Sequence, residues 1–141
     1  RWRIKMGELH LEIVTPDKSF FCGEVDMVIV RGIEGDLAIL KDRAPIATPL
    51  KIGKVRIFQN DSERVAAVVD GYITALDNRI TIVTDAAEWP DEIDVERAQA
   101  AKERAEARLK QEKSNIDTTK VEAALKRAIN RLEVSNFKKI D

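Results

Sequence analysis

The sequence holds one cysteine and one histidine, which restricts the chemistry open to the protein. Cys22 has no partner for an internal disulfide, so no oxidising compartment is implied, and we expect a semi-buried structural thiol. Because His10 is the only histidine, neither a histidine pair for a metal nor a Ser–His–Asp set is available. A glycine-rich phosphate loop is also missing, so the sequence argues against a free-standing enzyme and against a metal site.

An excess of charge of either sign is also lacking. The chain has 24 basic and 25 acidic residues, so the molecule as a whole has no general attraction to nucleic acid or anionic lipid. No apolar run approaches the roughly 20 residues of a membrane span, and no signal peptide is recognisable. We therefore expect a soluble cytoplasmic protein that does not bind nucleic acid.

Short apolar runs with a period of two fill most of the chain before residue 90. Leu9, Leu11 and Ile13 fall on one face of the first run, as in a half-buried strand. Similar runs recur every 8–12 residues with turn signals between them, and we expect Gly23 and Gly71 to end strands. No crossover helix fits between the runs, so the pattern predicts an antiparallel β-sandwich or barrel, of which we take the sandwich.

From Asp91 the period changes to that of a helix. Asp94 is a suitable N-cap for a helix that runs to Lys113, and residues 114–118 stop it and begin a second helix. The fold class is therefore α+β, with a β-sandwich over 1–90, of which residues 1–6 are interpreted as an extension, and an antiparallel two-helix hairpin over 91–141. The expected facing stripes are Ala98, Ala101, Ala105 and Leu109 on the first helix, and Val121, Ala124, Leu125, Ala128, Leu132 and Ser135 on the second.

These stripes are thin, because alanine buries little apolar surface at roughly 0.8 kcal/mol per CH₂. Ordering the backbone costs about 1–2 kcal/mol per residue, so the hairpin should be only marginally stable by itself. Strong helix formers joined by weak packing favour helices that persist while their contacts form and break. The hairpin is thus typical of a conformational switch.

Four arginines are expected on one side of this hairpin. If the turn is centred near residue 114, the helix rise places Arg97 level with Arg131, and Arg127 between Arg97 and Arg104. Such a convergent set favours an anion, because the guanidinium fork binds phosphate bidentately. The simpler alternative is that Asp94 only caps the helix and the arginines are solvated, as most surface charges are.

The segment Ile93-Asp94-x-x-Arg97-Ala98 resembles the [Ile/Leu]-Asp-x-x-Arg-Ala motif of the epsilon subunit of bacterial F-type ATP synthases. Residues 34–40, Glu-Gly-Asp-Leu-Ala-Ile-Leu, resemble that family's Glu-Gly-x-Leu-Gly-Ile-Leu, with Ala38 in place of the usual glycine. Further agreement follows in order along residues 7–140: Leu11-x-Ile13-Val14-Thr15-Pro16, Ala44-Pro45 with Thr48-Pro49-Leu50, and Gly71-Tyr72.

The resemblance implies a non-catalytic central-stalk subunit of the proton-translocating ATP synthase. Its β-sandwich would bind the gamma subunit and the ring of c subunits, with Asp36 and Arg43 in loops that face the ring. Its hairpin would inhibit ATP hydrolysis when it extends toward the alpha and beta subunits. The protein would then be peripheral, on the cytoplasmic face of the bacterial membrane, and associated with the membrane only through the complex.

In some bacilli-like members of the family the folded hairpin binds ATP, which holds it down. The residues that the resemblance assigns to ATP are Glu88, Ile93, Asp94, Arg97, Ala98, Arg104, Arg127 and Arg131. ATP would be a regulatory ligand, and whether Mg²⁺ accompanies it is left open. The alternative is a purely structural coupling subunit, in which the arginine cluster docks a protein and binds no nucleotide.

Overall fold

The computed structural model describes residues 9–111 and 118–137, and within them the chain forms eight β-strands and then two α-helices. The predicted extension at 1–6 and the predicted turn at 114–118, apart from its last residue, lie outside the described residues. The elements are β1 (Leu9–Val14), β2 (Ser19–Val25), β3 (Met27–Gly32), β4 (Gly35–Ile39), β5 (Ile46–Leu50), β6 (Gly53–Gln59), β7 (Ser62–Leu76), β8 (Arg79–Glu88), a 3₁₀ turn (Pro90–Glu92), α1 (Val95–Gln111) and α2 (Thr118–Ser135).

The strands form one sheet that folds over an apolar core. Strand β1 shows the cause, because Leu9, Leu11 and Ile13 are buried while the residues between them are partly exposed. The same alternation in β3, β6 and β8 adds valine and isoleucine side chains to this core. The predicted fold class, a β-sandwich followed by a helical hairpin, is confirmed.

Strand β7 joins the two parts of the sheet. Its first half pairs with β6 and its second half with β5, while β8 runs along much of its length. The sheet order is β2-β1-β8-β7-β5-β3-β4, with β6 on β3 and β7. The prediction that Gly71 ends a strand is therefore wrong, and so is the same prediction for Gly23, because both lie inside continuous strands. A glycine removes a side chain but keeps the donor and acceptor that the ladder needs.

One strand pair is parallel, which an all-antiparallel sandwich did not predict. Strands β1 and β8 pair in parallel from His10 opposite Arg79 to Val14 opposite Val83. Parallel neighbours need a long connection, and a crossover helix is its usual form. Here strands β2 to β7 themselves provide the connection, so the absence of a helix between the strands did not exclude the pair.

Replacing Gly71 with alanine is expected to lower the free energy of unfolding by about 2 kcal/mol, because overpacking in a sheet shifts its backbone. A Cβ at this position would lie 2.3 Å from the carbonyl oxygen of Val83. Gly23→Ala is the matched control, since its Cβ would meet nothing closer than 3.7 Å. Urea unfolding measures both variants, and equal stability of the two would contradict the prediction.

Cys22 is exposed, so the expectation of a semi-buried thiol is wrong. It follows Phe21, which is buried, and alternation along β2 therefore turns Cys22 outward. Its Sγ lies 3.6 Å from Nε2 of His10, whose Nδ1 lies 3.2 Å from an oxygen of Glu24. The general tendency of free cysteine to be buried does not override the strand period here.

The two helices pack on each other through small side chains. Ala98 and Ala105 are buried on α1, and Val121 and Ala128 are buried on α2, with the same seven-residue spacing on each helix. All four belong to the stripes predicted from the sequence, whereas the other members of those stripes are only partly buried. The hairpin seam is therefore as thin as its composition indicates.

The hairpin is docked on the β-sandwich through α2, whereas α1 makes its main contacts with α2. Four buried residues form the docking cluster: Val65 and Ala67 of β7, Ile93 before α1, and Val134 of α2. Residues 65–68 of β7 are all buried, because one face of the strand lines the sandwich core and the other meets the hairpin. This second buried face shows that the described state is the docked one.

Candidate functional site

The segment that joins the two domains is held rigidly at Trp89. The indole ring stacks on Phe20, with ring centroids 4.4 Å apart. The guanidinium carbon of Arg64, a residue of β7, lies 3.8 Å from the indole centroid. Glu92 accepts a hydrogen bond from the backbone N–H of Trp89 at 2.9 Å. Because the indole is already engaged by an aromatic ring and a cation, it is a structural anchor.

Asp94 begins α1 as predicted. Its Oδ1 accepts a hydrogen bond from the backbone N–H of Arg97 at 3.1 Å, and its carbonyl accepts one from Ala98 at 3.0 Å. The carboxylate also lies at the positive end of the helix dipole. Ile93, one residue earlier, is buried in the docking cluster. The motif around Asp94 therefore fixes the start of α1 relative to the β-sandwich.

A direct polar contact links the end of the sandwich to α2. Arg131 donates from Nε to Oε1 of Glu88 at 2.7 Å, across 43 positions of sequence. Both side chains are partly exposed, at 37% and 29%, so the pair contributes little stability by itself. The contact uses Nε, so the terminal nitrogens of Arg131 are left for another acceptor.

Three other arginines of the predicted site carry no such contact. The side chains of Arg97, Arg104 and Arg127 form no hydrogen bond or ion pair with any residue in the described ranges. Arg97 and Arg104 are exposed on α1, whereas Arg127 is partly buried on α2. Ala98, the last residue of the predicted set, is buried in the seam between the helices. That Arg97 lies level with Arg131 stays a prediction.

Asn130, which was not predicted from the sequence, is the one buried polar side chain of the described part of the hairpin. Its Nδ2 donates to the carbonyl oxygen of Gly53 at 2.8 Å. Asn130 and Val134 are four residues apart and form a second buried face of α2. The apolar stripe predicted for α2 accounted only for the packing of α2 on α1. The second buried face holds only Asn130 and Val134, and a pattern of two residues is too short to recognise in the sequence.

Next to the docking cluster, Arg56 of β6 donates to Glu63 of β7 at 2.5 Å. This hydrogen bond raises the pKa of Arg56 above its ordinary value, so the guanidinium group stays charged. Arg56 is therefore a fixed cation beside the end of α2 and takes no part in a titration.

The two residues predicted to face the c ring lie near strand β4, with Asp36 inside the strand and Arg43 in the loop after it. Asp36 accepts a hydrogen bond from Nε of Arg31 at 2.7 Å. Arg43 donates to the carbonyl oxygen of Ala38 at 2.9 Å. Both side chains are exposed. Each contact links the exposed side chain to another residue of the sandwich.

The described residues form neither a metal-binding cluster nor a membrane-spanning helix. No group of three or more His, Cys, Asp and Glu side chains in residues 9–111 and 118–137 is arranged to hold a metal ion. In the same residues no helix combines the length and the apolarity that a membrane crossing requires.

Comparison with known proteins places both parts of the chain in one family. Residues 8–90 match the "ATP synthase, Delta/Epsilon chain, beta-sandwich domain", and residues 91–136 match the "ATP synthase, Delta/Epsilon chain, long alpha-helix domain". Among solved structures, a chain of the Euglena gracilis mitochondrial ATP synthase (OSCP/F1/c-ring) has the same fold. It superposes with a TM-score of 0.79 at 21% identity, over 90% of this chain and 80% of that one.

Full-length relatives agree. The ATP synthase epsilon chain of Halalkalibacterium halodurans is 46% identical over 131 residues, which cover 92% of this chain and 98% of that one. The epsilon chain of Alkaliphilus metalliredigens is 47% identical over 132 residues, with 94% and 98% covered. The resemblance drawn from the sequence motifs is thereby confirmed, and the protein belongs to the family of ATP synthase epsilon chains, which are non-catalytic subunits of that complex.

Proposed function

We propose that this chain is a central-stalk subunit whose hairpin inhibits ATP hydrolysis when undocked and is held docked by ATP. The observation that carries the proposal is the group of arginines on the docked hairpin. Arg97, Arg104 and Arg127 have no acidic partner within the described residues, while Arg131 is held in place by Glu88. The predicted convergence of these guanidinium groups on one surface would favour a polyanion such as a triphosphate.

The roles of the site residues follow from their positions. Arg97 and Arg131 would bind phosphate oxygens, with Arg104 and Arg127 adding positive charge beside them. While Oε1 of Glu88 holds Nε of Arg131, Oε2 of Glu88 would accept a hydrogen bond from a ribose hydroxyl or a base amino group. Asp94 would hold Arg97 in position through the helix start, while Ile93 and Ala98 keep the backbone of α1 close to the sandwich and to α2.

ATP would act by favouring one of two states. The docked state is held by a small apolar cluster, one buried hydrogen bond and one partly exposed ion pair. Burial of a valine contributes about 1.5–3 kcal/mol and a hydrogen bond about 0.5–1.5 kcal/mol. A ligand at 100 times its dissociation constant adds about 2.7 kcal/mol if it binds only the docked state. The free energy of ATP binding is therefore comparable to that of the contacts that hold the hairpin docked, and it is large enough to decide between docking and release.

The proposed partners are those of the family that the sequence resembles. The β-sandwich would bind the gamma subunit and the c ring, with Asp36 of β4 and Arg43 of the following loop as exposed charged side chains suited to the polar loops of a ring. Released from the sandwich, α1 and α2 would extend toward the alpha and beta subunits, where their basic residues meet acidic surfaces. The protein would lie on the cytoplasmic face of the membrane through these contacts.

Titration of the isolated chain with ATP tests the proposal. We expect one site, and we expect α2 amides to exchange hydrogen more slowly when ATP is bound, because the docked state is then favoured. Titrations with and without Mg²⁺ decide whether the metal accompanies the nucleotide. An absence of ATP binding would instead favour the alternative of a structural coupling subunit whose arginines dock a protein. In either case the isolated chain should not hydrolyse ATP.

A further inference from the structure

We infer that Asn130 is a positioning residue for the nucleotide site, an inference that rests on the proposed function. Asn130 lies on α2 between Arg127 and Arg131, and only 8% of it is exposed. Its Nδ2 donates to the carbonyl oxygen of Gly53 at 2.8 Å, where β6 begins. The side chain touches no ligand position itself. Its part is to set where along the sandwich the two neighbouring arginines are held.

The other contacts of α2 with the sandwich cannot set this position. Val134 packs on Val65 and Ala67, and burial of apolar surface is non-directional, so it tolerates small movements along the helix axis. The Arg131–Glu88 pair is partly exposed and contributes little. A hydrogen bond, in contrast, weakens within a few tenths of an ångström, whereas a shift of one residue along a helix is about 1.5 Å.

Gly53, whose carbonyl oxygen accepts this hydrogen bond, has little freedom to move. Gly53 is buried at the start of β6 and pairs with Val68 of β7. A Cβ at Gly53 would lie 2.7 Å from Cβ of Arg31, so the backbone passes close to β3 and has little room to move. Buried polar contacts of this kind specify register at some cost in stability. Asn130 therefore fixes the register of α2 against β6.

The variant Asn130→Leu tests this role, because leucine is of similar size and keeps the face apolar but has no donor. We expect α2 amides to remain as protected from hydrogen exchange as in the unsubstituted chain. We expect the dissociation constant for ATP to rise about tenfold, because Arg127 and Arg131 are no longer held in register. Loss of affinity without loss of docking is the result that a merely stabilising residue would not produce.

Val134→Ala is the matched control on the same face of α2. It weakens docking but leaves the Asn130 donor in place, so ATP affinity should fall only as far as the docked population falls. The inference is overturned if Asn130→Leu binds ATP with unchanged affinity. It is also overturned if Asn130→Leu loses α2 protection and ATP affinity together, as the control is expected to do.

A measurement without ATP separates this inference from the proposed function. The coupling between Glu88 and Arg131 is obtained from a double-mutant cycle (Glu88→Gln, Arg131→Gln) read by α2 hydrogen exchange in the full chain. We expect coupling in the otherwise unsubstituted chain and none in the Asn130→Leu background. If ATP fails to bind but this coupling is lost, the nucleotide proposal is wrong and the register role stands. Coupling that persists in the leucine background contradicts the register role.

Discussion

Arg97→Ala is expected to raise the dissociation constant of the isolated chain for ATP at least about 100-fold. A charge-assisted hydrogen bond contributes about 1.5–3 kcal/mol, and the loss of a bidentate pair removes two of them. The side chain is exposed and has no partner in the described residues, so the β-sandwich should stay folded. Helix α1 also keeps its N-cap, because Asp94 accepts a hydrogen bond from the backbone N–H of residue 97, which the substitution retains. Isothermal titration measures the affinity, and circular dichroism checks the fold.

Two further variants make this result specific. Arg108→Ala removes an exposed arginine from the same helix outside the predicted site, and its ATP affinity should not change. Arg97→Lys keeps the charge but loses the planar fork, so it should bind ATP with intermediate affinity. If Arg97→Ala titrates as the unsubstituted chain does, Arg97 is not a nucleotide ligand. If Arg108→Ala loses affinity equally, the effect is one of net charge.

Ending the chain after Trp89 is expected to raise ATP hydrolysis by the assembled ATP synthase several-fold at low ATP concentration. The truncation removes both helices and with them the segment proposed to enter the catalytic head. Trp89 keeps its stack on Phe20, so the sandwich should still assemble with its partners. Hydrolysis is measured on the purified complex, and gel analysis of its subunits shows whether the shortened chain is present.

The matched comparison is full-length Arg97→Ala in the same complex. Without ATP to hold it, the hairpin should be released more often, so hydrolysis should fall below that of the unsubstituted enzyme. Opposite effects of the two changes identify the hairpin as an ATP-controlled inhibitor. Hydrolysis that stays latent after truncation would show that the hairpin is not the inhibitor. If both changes raise ATP hydrolysis, nucleotide binding is not what keeps the hairpin docked.

Local patterns in the sequence predicted the elements of this protein well. The alternation of Leu9, Leu11 and Ile13 predicted a half-buried strand, and the acidic residue at 94 predicted the start of α1. The parallel β1–β8 pair and the unbroken β7 were not predicted, because they depend on which strands become neighbours. Hydrophobic period indicates that a face of an element is buried and carries no information about which element covers that face.

The residues of the candidate site, likewise, were predicted only in part from the sequence. Helical spacing grouped the arginines, and Glu88, which was predicted together with them, forms a hydrogen bond with Arg131. Spacing could not find Asn130, because its acceptor is a backbone carbonyl 77 positions earlier in the chain. A backbone acceptor leaves no residue type to recognise in the sequence. Contacts of this kind become visible only when the sandwich and the hairpin are seen together.

The docking of the hairpin through its second helix has a consequence for synthesis on the ribosome. The sandwich strands emerge first and can fold as a unit, as domains generally do during translation. Helix α1 follows, but its main packing partner, α2, emerges only after it. Every new copy of the protein therefore passes through a stage in which the sandwich is complete and the hairpin is not yet docked. Docking waits until α2 has left the ribosome, so it is a late step in the folding of the protein.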